Sequence, residues 1–138
     1  MTKKYSLPKD LLYTSNHMWA KIMNEKIVIV GLTDYAFEDT KAVGYRSVLH
    51  IELPNVGKRF NQAESMATIE TEKTVTDVSS PLSGEILEVN EKLKDDPTLI
   101  GSDPYGKGWI VKLRIGNLKQ TEGLMDSQKY RKHIDGLS

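Results

Sequence analysis

A chain of 138 residues with 19 lysines and arginines set against 19 aspartates and glutamates has the size for one domain with a sizeable core. Its balanced charge offers no positive field for a phosphate backbone or an anionic lipid surface. The absence of cysteine excludes disulfides, thiolate metal sites and a thiol nucleophile, so any redox chemistry has to be imported.

In chain order, the opening MTKKYSLPKDLLYT has no apolar core of signal-peptide length and is not arginine-rich. No later apolar run approaches the ~18 residues that span a bilayer. The expectation is a soluble cytoplasmic protein, with neither nucleic acid nor membrane as a partner. IVIVGL over 27–32 is a continuous, β-branched apolar run, which predicts a strand buried on both faces. A helical turn or two follows Thr33, placed as a cap. VLHIELP over 48–54 alternates Leu49, Ile51 and Leu53 against Val48, His50 and Glu52; the first set is predicted to be dry, and Pro54 closes the strand.

Strand-like segments over 65–70 and 74–79 flank Lys73. Pro81, Leu82, Ser83 and Gly84 then read as a turn whose glycine can take positive φ. GEILEVN follows, with Leu87 and Val89 set against Glu88 and Asn90. WIVKLRI over 109–115 has the clearest period-two pattern, Trp109, Val111, Leu113 and Ile115 alternating with Ile110, Lys112 and Arg114, and the core is staked on it. Asp126 is placed to cap a C-terminal helix with Tyr130, Ile134 and Leu137 on one side. Short strands with regular turn punctuation and no low-complexity linker indicate an all-β protein, mainly β with short helices, built as a sandwich or small barrel. The chain is expected to form a single domain over 1–138, with its core over about 11–115 and a helical segment over about 121–138.

Lys73 sits on the turn between two of these strands, among Glu70, Glu72 and Asp77. Chemistry by the free amine requires a pKa far below the lysine reference of ~10.4, and neighbouring carboxylates favour the charged ammonium instead. An enzyme bringing an activated acyl donor has no such requirement and can read the carboxylates to find its target. From the residues alone, an attachment point and a solvated charged hairpin turn both remain open.

The surrounding strings resemble a known family. IETEKTVTDVSSPLSGEILEVNEKL resembles the lipoyl-lysine hairpin of the glycine cleavage system H proteins. LLYTSNHMW resembles that family's opening strand, with Tyr13, Thr14, His17 and Trp19 on pattern, and IELPNVG resembles the segment before the hairpin. KDDPTLIGSDPYGKGWIVKL matches with Asp103, Pro104, Tyr105, Gly106, Gly108 and Trp109 in place. Generic lipoyl and biotinyl domains lack the DPYGxGW element. Biotin is disfavoured further because Glu72 and Thr74 flank the lysine where biotinyl domains have methionines.

The resemblance implies a lipoyl-domain-like barrel-sandwich hybrid with a C-terminal helix, and lipoate held covalently on Lys73. It implies a carrier subunit, not an enzyme, with no catalytic residue of its own. In glycine catabolism the arm would accept the aminomethyl group of glycine from the glycine decarboxylase (P protein) and present it to the aminomethyltransferase (T protein). The dihydrolipoamide dehydrogenase (L protein) would then reoxidise the arm, and a surface cleft would shelter it when loaded. A lipoate ligase or lipoyltransferase would make the attachment, with Glu70, Glu72 and Asp77 as its recognition residues.

Three departures from the family pattern bear on partners. The stretch around Thr40 to Ser47 is longer than usual, with Arg46 and Ser47 where Gly-Asp is customary; Glu72 precedes the lysine, as in acyltransferase lipoyl domains; and Met18 stands in place of a common acidic residue. They leave open an H-like carrier serving lipoyl relay or sulfur metabolism, or an unlipoylated interaction domain of the same fold. Elsewhere the readings are structural. His17, His50 and His133 share no register and predict no metal site, Trp19 and Trp109 are read as core anchors, and Gly31, Gly84 and Gly108 as turn or strand-end residues. The acidic run over 91–96 and the basic KYRKH string are read as solvated faces.

Overall fold

The structure, a computed structural model, describes residues 5–36, 48–72, 74–116 and 118–137. The described residues form nine strands: β1 (Leu12–Tyr13), β2 (Met18–Ile22), β3 (Ile27–Leu32), β4 (Val48–Glu52), β5 (Arg59–Phe60), β6 (Ser65–Thr71), β7 (Val75–Ser79), β8 (Gly84–Val89) and β9 (Val111–Ile115). Among the described residues three helices accompany them, α1 (Lys92–Asp95), α2 (Leu99–Ser102) and α3 (Ser127–Asp135), with a 3-10 turn at Leu118–Gly123. The strands form a six-stranded sheet in the order β1-β2-β3-β9-β8-β5 and a three-stranded sheet in the order β4-β6-β7. Each pairing is antiparallel, as short strands joined by tight turns require. This agrees with the expected mainly-β, lipoyl-domain-like class.

The main core lies between the sheets. Met18, Val28, Val30, Leu32, Ile86, Val111, Leu113 and Ile115 from the larger sheet meet Val48, Ile51, Met66, Ala67, Ile69 and Val78 from the smaller. The period-two reading of 111–115 is borne out, with Val111, Leu113 and Ile115 buried. It fails at Trp109, which precedes the strand, is half-buried, and packs with a different cluster. In β3 only Val28, Val30, Gly31 and Leu32 are fully buried; Ile27 and Ile29 are half-buried, so the expectation of two dry faces holds only in part.

Two further corrections come from bulges, each of which adds a residue and reverses the alternation beyond it. The register slips between Val48 and His50, so Val48 and Ile51 are buried while Leu49 is 56% exposed and Leu53 is half-buried. A second slip lies between Ile86 and Glu88. Ile86 and Val89 therefore stand opposite the buried Leu113 and Val111, Ile86 fully buried and Val89 half-buried against the core, while Leu87 is only half-buried and Asn90 is buried. Asn90 is satisfied there, its amide donating to the carbonyls of Lys107 and Trp109, each at 2.7 Å. Gly84 does not have positive φ. It opens β8, where a Cβ would lie 2.6 Å from the Arg114 carbonyl, so close strand approach is what demands glycine.

A second cluster covers the opposite face of the larger sheet: Leu7, Leu11, Tyr13, Trp19, Tyr130 and Ile134. Trp19 lies opposite Gly31 across β2 and β3, and its indole occupies the space a Cβ there would take, 2.6 Å away. α3 closes this cluster. Asp126 caps it as expected, its carboxylate accepting from the Lys129 backbone N–H at 2.8 Å, and Tyr130 and Ile134 are buried, whereas Leu137 is 50% exposed. The Tyr130 ring stacks on Tyr13 at 4.8 Å. Its hydroxyl lies 2.8 Å from both His17 Nδ1 and Thr33 Oγ1. Of the helical turn expected after Thr33, the described part is Asp34 to Ala36, with Ala36 N–H donating to the Thr33 carbonyl.

Candidate functional site

The β6–β7 hairpin is held from below and open above. Met66, Ala67, Ile69 and Val78 anchor it in the main core, and the register Thr68↔Asp77, Ile69↔Thr76, Glu70↔Val75 aligns the strands up to the turn. Opposed residues in an antiparallel pair share a face. Thr68, Glu70, Val75 and Asp77 therefore stand on the outward side, where Glu70, Val75 and Asp77 are exposed. His50 and Glu52 of β4, paired with Glu70 and Thr68, continue that face.

Threonines close the hairpin. The Thr71 N–H donates to the Thr74 carbonyl at 2.9 Å, and the Thr74 N–H donates to Thr71 Oγ1 at 3.2 Å. Thr71 is 6% exposed, so this doubly tied pair sits at the edge of the core and leaves two residues of chain, Glu72 and Lys73, to join the strands. Glu72 is exposed. Lys73 lies outside the described residues, as do Thr40, Arg46 and Ser47 of the long stretch before β4.

Of the carboxylates singled out in the sequence, Glu70 and Asp77 share the outward face and Glu72 is in the turn between them. Asp77 is also held from its own sheet, Ser65 Oγ donating to Asp77 Oδ1 at 3.0 Å. Sequence reasoning did not assign roles to Ser65, Thr71 or Thr74. The symmetric TEKT string was the available sign of the last two, since a hydroxyl beside a tight turn is placed to bind its backbone.

Two clefts open beside the hairpin. One of 270 Å³ includes Glu52, Lys58, Phe60 and residues 65–68; another of 320 Å³ combines Ile51, Leu53 and Val89 with His50, Glu52 and Lys94. The DPYGKGW residues belong instead to a clasp on the larger sheet. The Pro104 carbonyl accepts from Trp19 Nε1 at 3.0 Å. The Tyr105 hydroxyl donates to the Ser6 carbonyl at 2.5 Å and accepts from the Asp34 N–H at 3.0 Å. Burial, reinforced by the Asp34 carboxylate, pushes that phenol up to about 12, so it stays a neutral donor. Asp34 in turn accepts from the Ser6 N–H at 3.0 Å, and Arg131 donates to the Tyr5 carbonyl at 3.1 Å.

His17 and His133, widely separated in sequence, have rings 6.1 Å apart, while His50 is on the smaller sheet. Among the described residues no group of three metal-ligating side chains forms, and no helix is long and apolar enough to cross a membrane.

Comparison with known proteins gives a consistent result. The family described as Glycine cleavage H-protein matches residues 11–136. A probable glycine cleavage system H protein of Thermococcus gammatolerans is 41% identical over 135 residues, covering 97% of this chain and 96% of its own. A glycine cleavage system H protein of Halothermothrix orenii is 39% identical over 130 residues, covering 94% and 97%. The crystal structure of a glycine cleavage system H protein from Mycobacterium marinum superposes with a TM-score of 0.81 at 34% identity, covering 94% of this chain and 99% of that one.

Proposed function

The chain belongs to the glycine cleavage H-protein family, the lipoyl carriers of the glycine cleavage system, and on that premise we propose that Lys73 bears the lipoyl group. What supports this reading is the register-locked hairpin whose Thr71–Thr74 closure leaves only Glu72 and Lys73 to make the turn. A lysine in so short a link is offered to an enzyme on a base that does not move with it.

Residues around the position fit the group. In the attachment, Lys73 Nζ gives up a proton and forms an amide with the lipoyl carboxyl carbon, while the bond from that carbon to the activating adenylate or carrier thiol breaks. Glu70, Glu72 and Asp77 are the proposed recognition residues for the ligase or transferase that supplies this donor. The bound lipoyl group supplies a disulfide, which a chain without cysteine cannot provide itself. Strands anchored in the core then serve as the fixed end of a tether, giving each partner a high effective concentration of the carried group.

As a carrier, the protein works with the enzymes of glycine cleavage. We assign the decarboxylase, the aminomethyltransferase and dihydrolipoamide dehydrogenase as those partners, the whole of 1–138 as one carrier domain, and the cytoplasm as its compartment. Intact-mass measurement after coexpression with a lipoate ligase tests the attachment: a lipoyl increment that disappears in Lys73→Arg is expected. No increment, or one that survives the substitution, refutes it. Exchange of bicarbonate with the glycine carboxyl, using a purified decarboxylase and the lipoylated chain, tests the partner assignment.

A further inference from the structure

The smaller sheet differs in charge from the rest of the molecule. Strands β4, β6 and β7 contain Glu52, Glu70 and Asp77 but not one lysine or arginine, although the whole chain has as many basic as acidic residues. The larger sheet is mixed, with Lys21, Arg59, Lys112 and Arg114 in its strands. Two large apolar side chains are exposed on this acidic sheet, Leu49 at 56% and Val75 at 62%. Neither results from a failed core. Val75 is opposite Glu70 on the outward face, and Leu49 is the extra residue at the bulge between Val48 and His50. Without that bulge, simple alternation would have put Leu49 on the same side as Ile51.

We propose that Leu49 and Val75 are apolar anchors of a docking face, and that its occupant is the enzyme that acylates Lys73. This rests on the attachment reading above. The complementary surface on that enzyme is an apolar patch rimmed by lysine and arginine. Charge supports the assignment: Glu70 lies between His50 and Val75 in one cross-strand row, and Glu52, Thr68 and Asp77 form the next. An acidic rim around apolar side chains steers a basic partner and excludes an acidic one, while burial of the apolar anchors supplies affinity that salt does not screen. Position supports it as well, because Glu70 and Val75 form the last cross-strand pair of the hairpin before its turn.

The test measures acylation of the full chain by a purified lipoate-attaching enzyme for the unaltered protein, Leu49→Asp, Val75→Asp and the control Val56→Asp. Val56 is 63% exposed but lies outside the smaller sheet. Each anchor variant is expected to lose about tenfold in kcat/KM, mainly through KM, with an unchanged thermal midpoint, and the control is expected to match the unaltered chain. Acylation of the unaltered chain together with full rates in both anchor variants overturns the docking face and leaves the attachment intact. Failure of the unaltered chain to be acylated overturns the attachment reading and the docking face with it. Sedimentation distinguishes a second copy as occupant: a single monomer is expected, and a dimer dispersed by the anchor substitutions refutes the assignment.

Discussion

Tyr130→Phe removes one oxygen atom from the centre of the second cluster. The ring remains, stacked on Tyr13 at 4.8 Å, so the change isolates the hydroxyl. That hydroxyl is 2.8 Å from both His17 Nδ1 and Thr33 Oγ1. Tyr130 and Thr33 are fully buried and His17 is only 8% exposed. A buried polar group deprived of its partner costs about 1–3 kcal/mol, and two groups lose one here, so the loss should be about 3 kcal/mol. For a chain of this length that lowers the melting temperature by roughly 9 °C. Urea unfolding followed by circular dichroism is the assay, with the midpoint falling and the slope unchanged. Thr33→Val, alone and combined with Tyr130→Phe, should show a coupling of about 1 kcal/mol. A loss below about 0.5 kcal/mol for Tyr130→Phe would refute the reasoning, since it would mean that the hydroxyl does not hold these groups.

Trp19→Ala should cost about 3–5 kcal/mol, because the indole is 2% exposed and its Nε1 is bonded to Pro104; Trp109→Ala, at a half-buried ring, should cost less than half as much in the same unfolding assay. Gly31→Ala places a methyl group 2.6 Å from the Trp19 ring and should destabilise by about 1–3 kcal/mol, with a shift in tryptophan emission as the indole is displaced. Alkaline titration should also register in stability. Burial raises the phenol pKa of Tyr13 above its ordinary value and that of Tyr105 to about 12, whereas the unfolded chain releases these protons near pH ~10. Their contribution is therefore complete below pH ~10 and is lost as pH climbs towards about 12; Tyr105→Phe should flatten part of that decline.

Much of the architecture was legible because period two survives wherever a strand is regular. Val111, Leu113 and Ile115 are buried where the alternation puts them, and Asp126, Tyr130 and Ile134 cap and bury α3 as their spacing requires. The expectations failed at irregularities. A bulge leaves no mark in a single sequence, so the extra residue beside Val48 exposes Leu49 and buries Val48, against their expected sides, while Ile51 is dry as expected; the slip after Ile86 leaves Leu87 half-buried and sets Val89 against the core with Ile86. Short α1 and α2 were not anticipated because four residues hold too little pattern for a period of 3.6. At the site, the positions of Glu70, Glu72 and Asp77 followed from counting along a hairpin. The tie from Ser65 to Asp77 crosses the register shift between Ser65 and Ala67, and the pairing of His50 with Glu70 depends on how β4 and β6 are aligned. The meeting of His17, Thr33 and Tyr130 is likewise a product of the tertiary fold, and no local signal announces it.

The buckle joining Tyr5 and Ser6 to Asp34, Tyr105 and Arg131 has a dynamic consequence. Tyr5 and Arg131 are 126 positions apart, yet fraying of either segment deprives the other of its support, so both should open to solvent exchange as one cooperative unit. The β6–β7 hairpin draws its protection from the inter-sheet core instead. Its amides should exchange on a separate schedule, so that opening of the hairpin need not loosen the far wall.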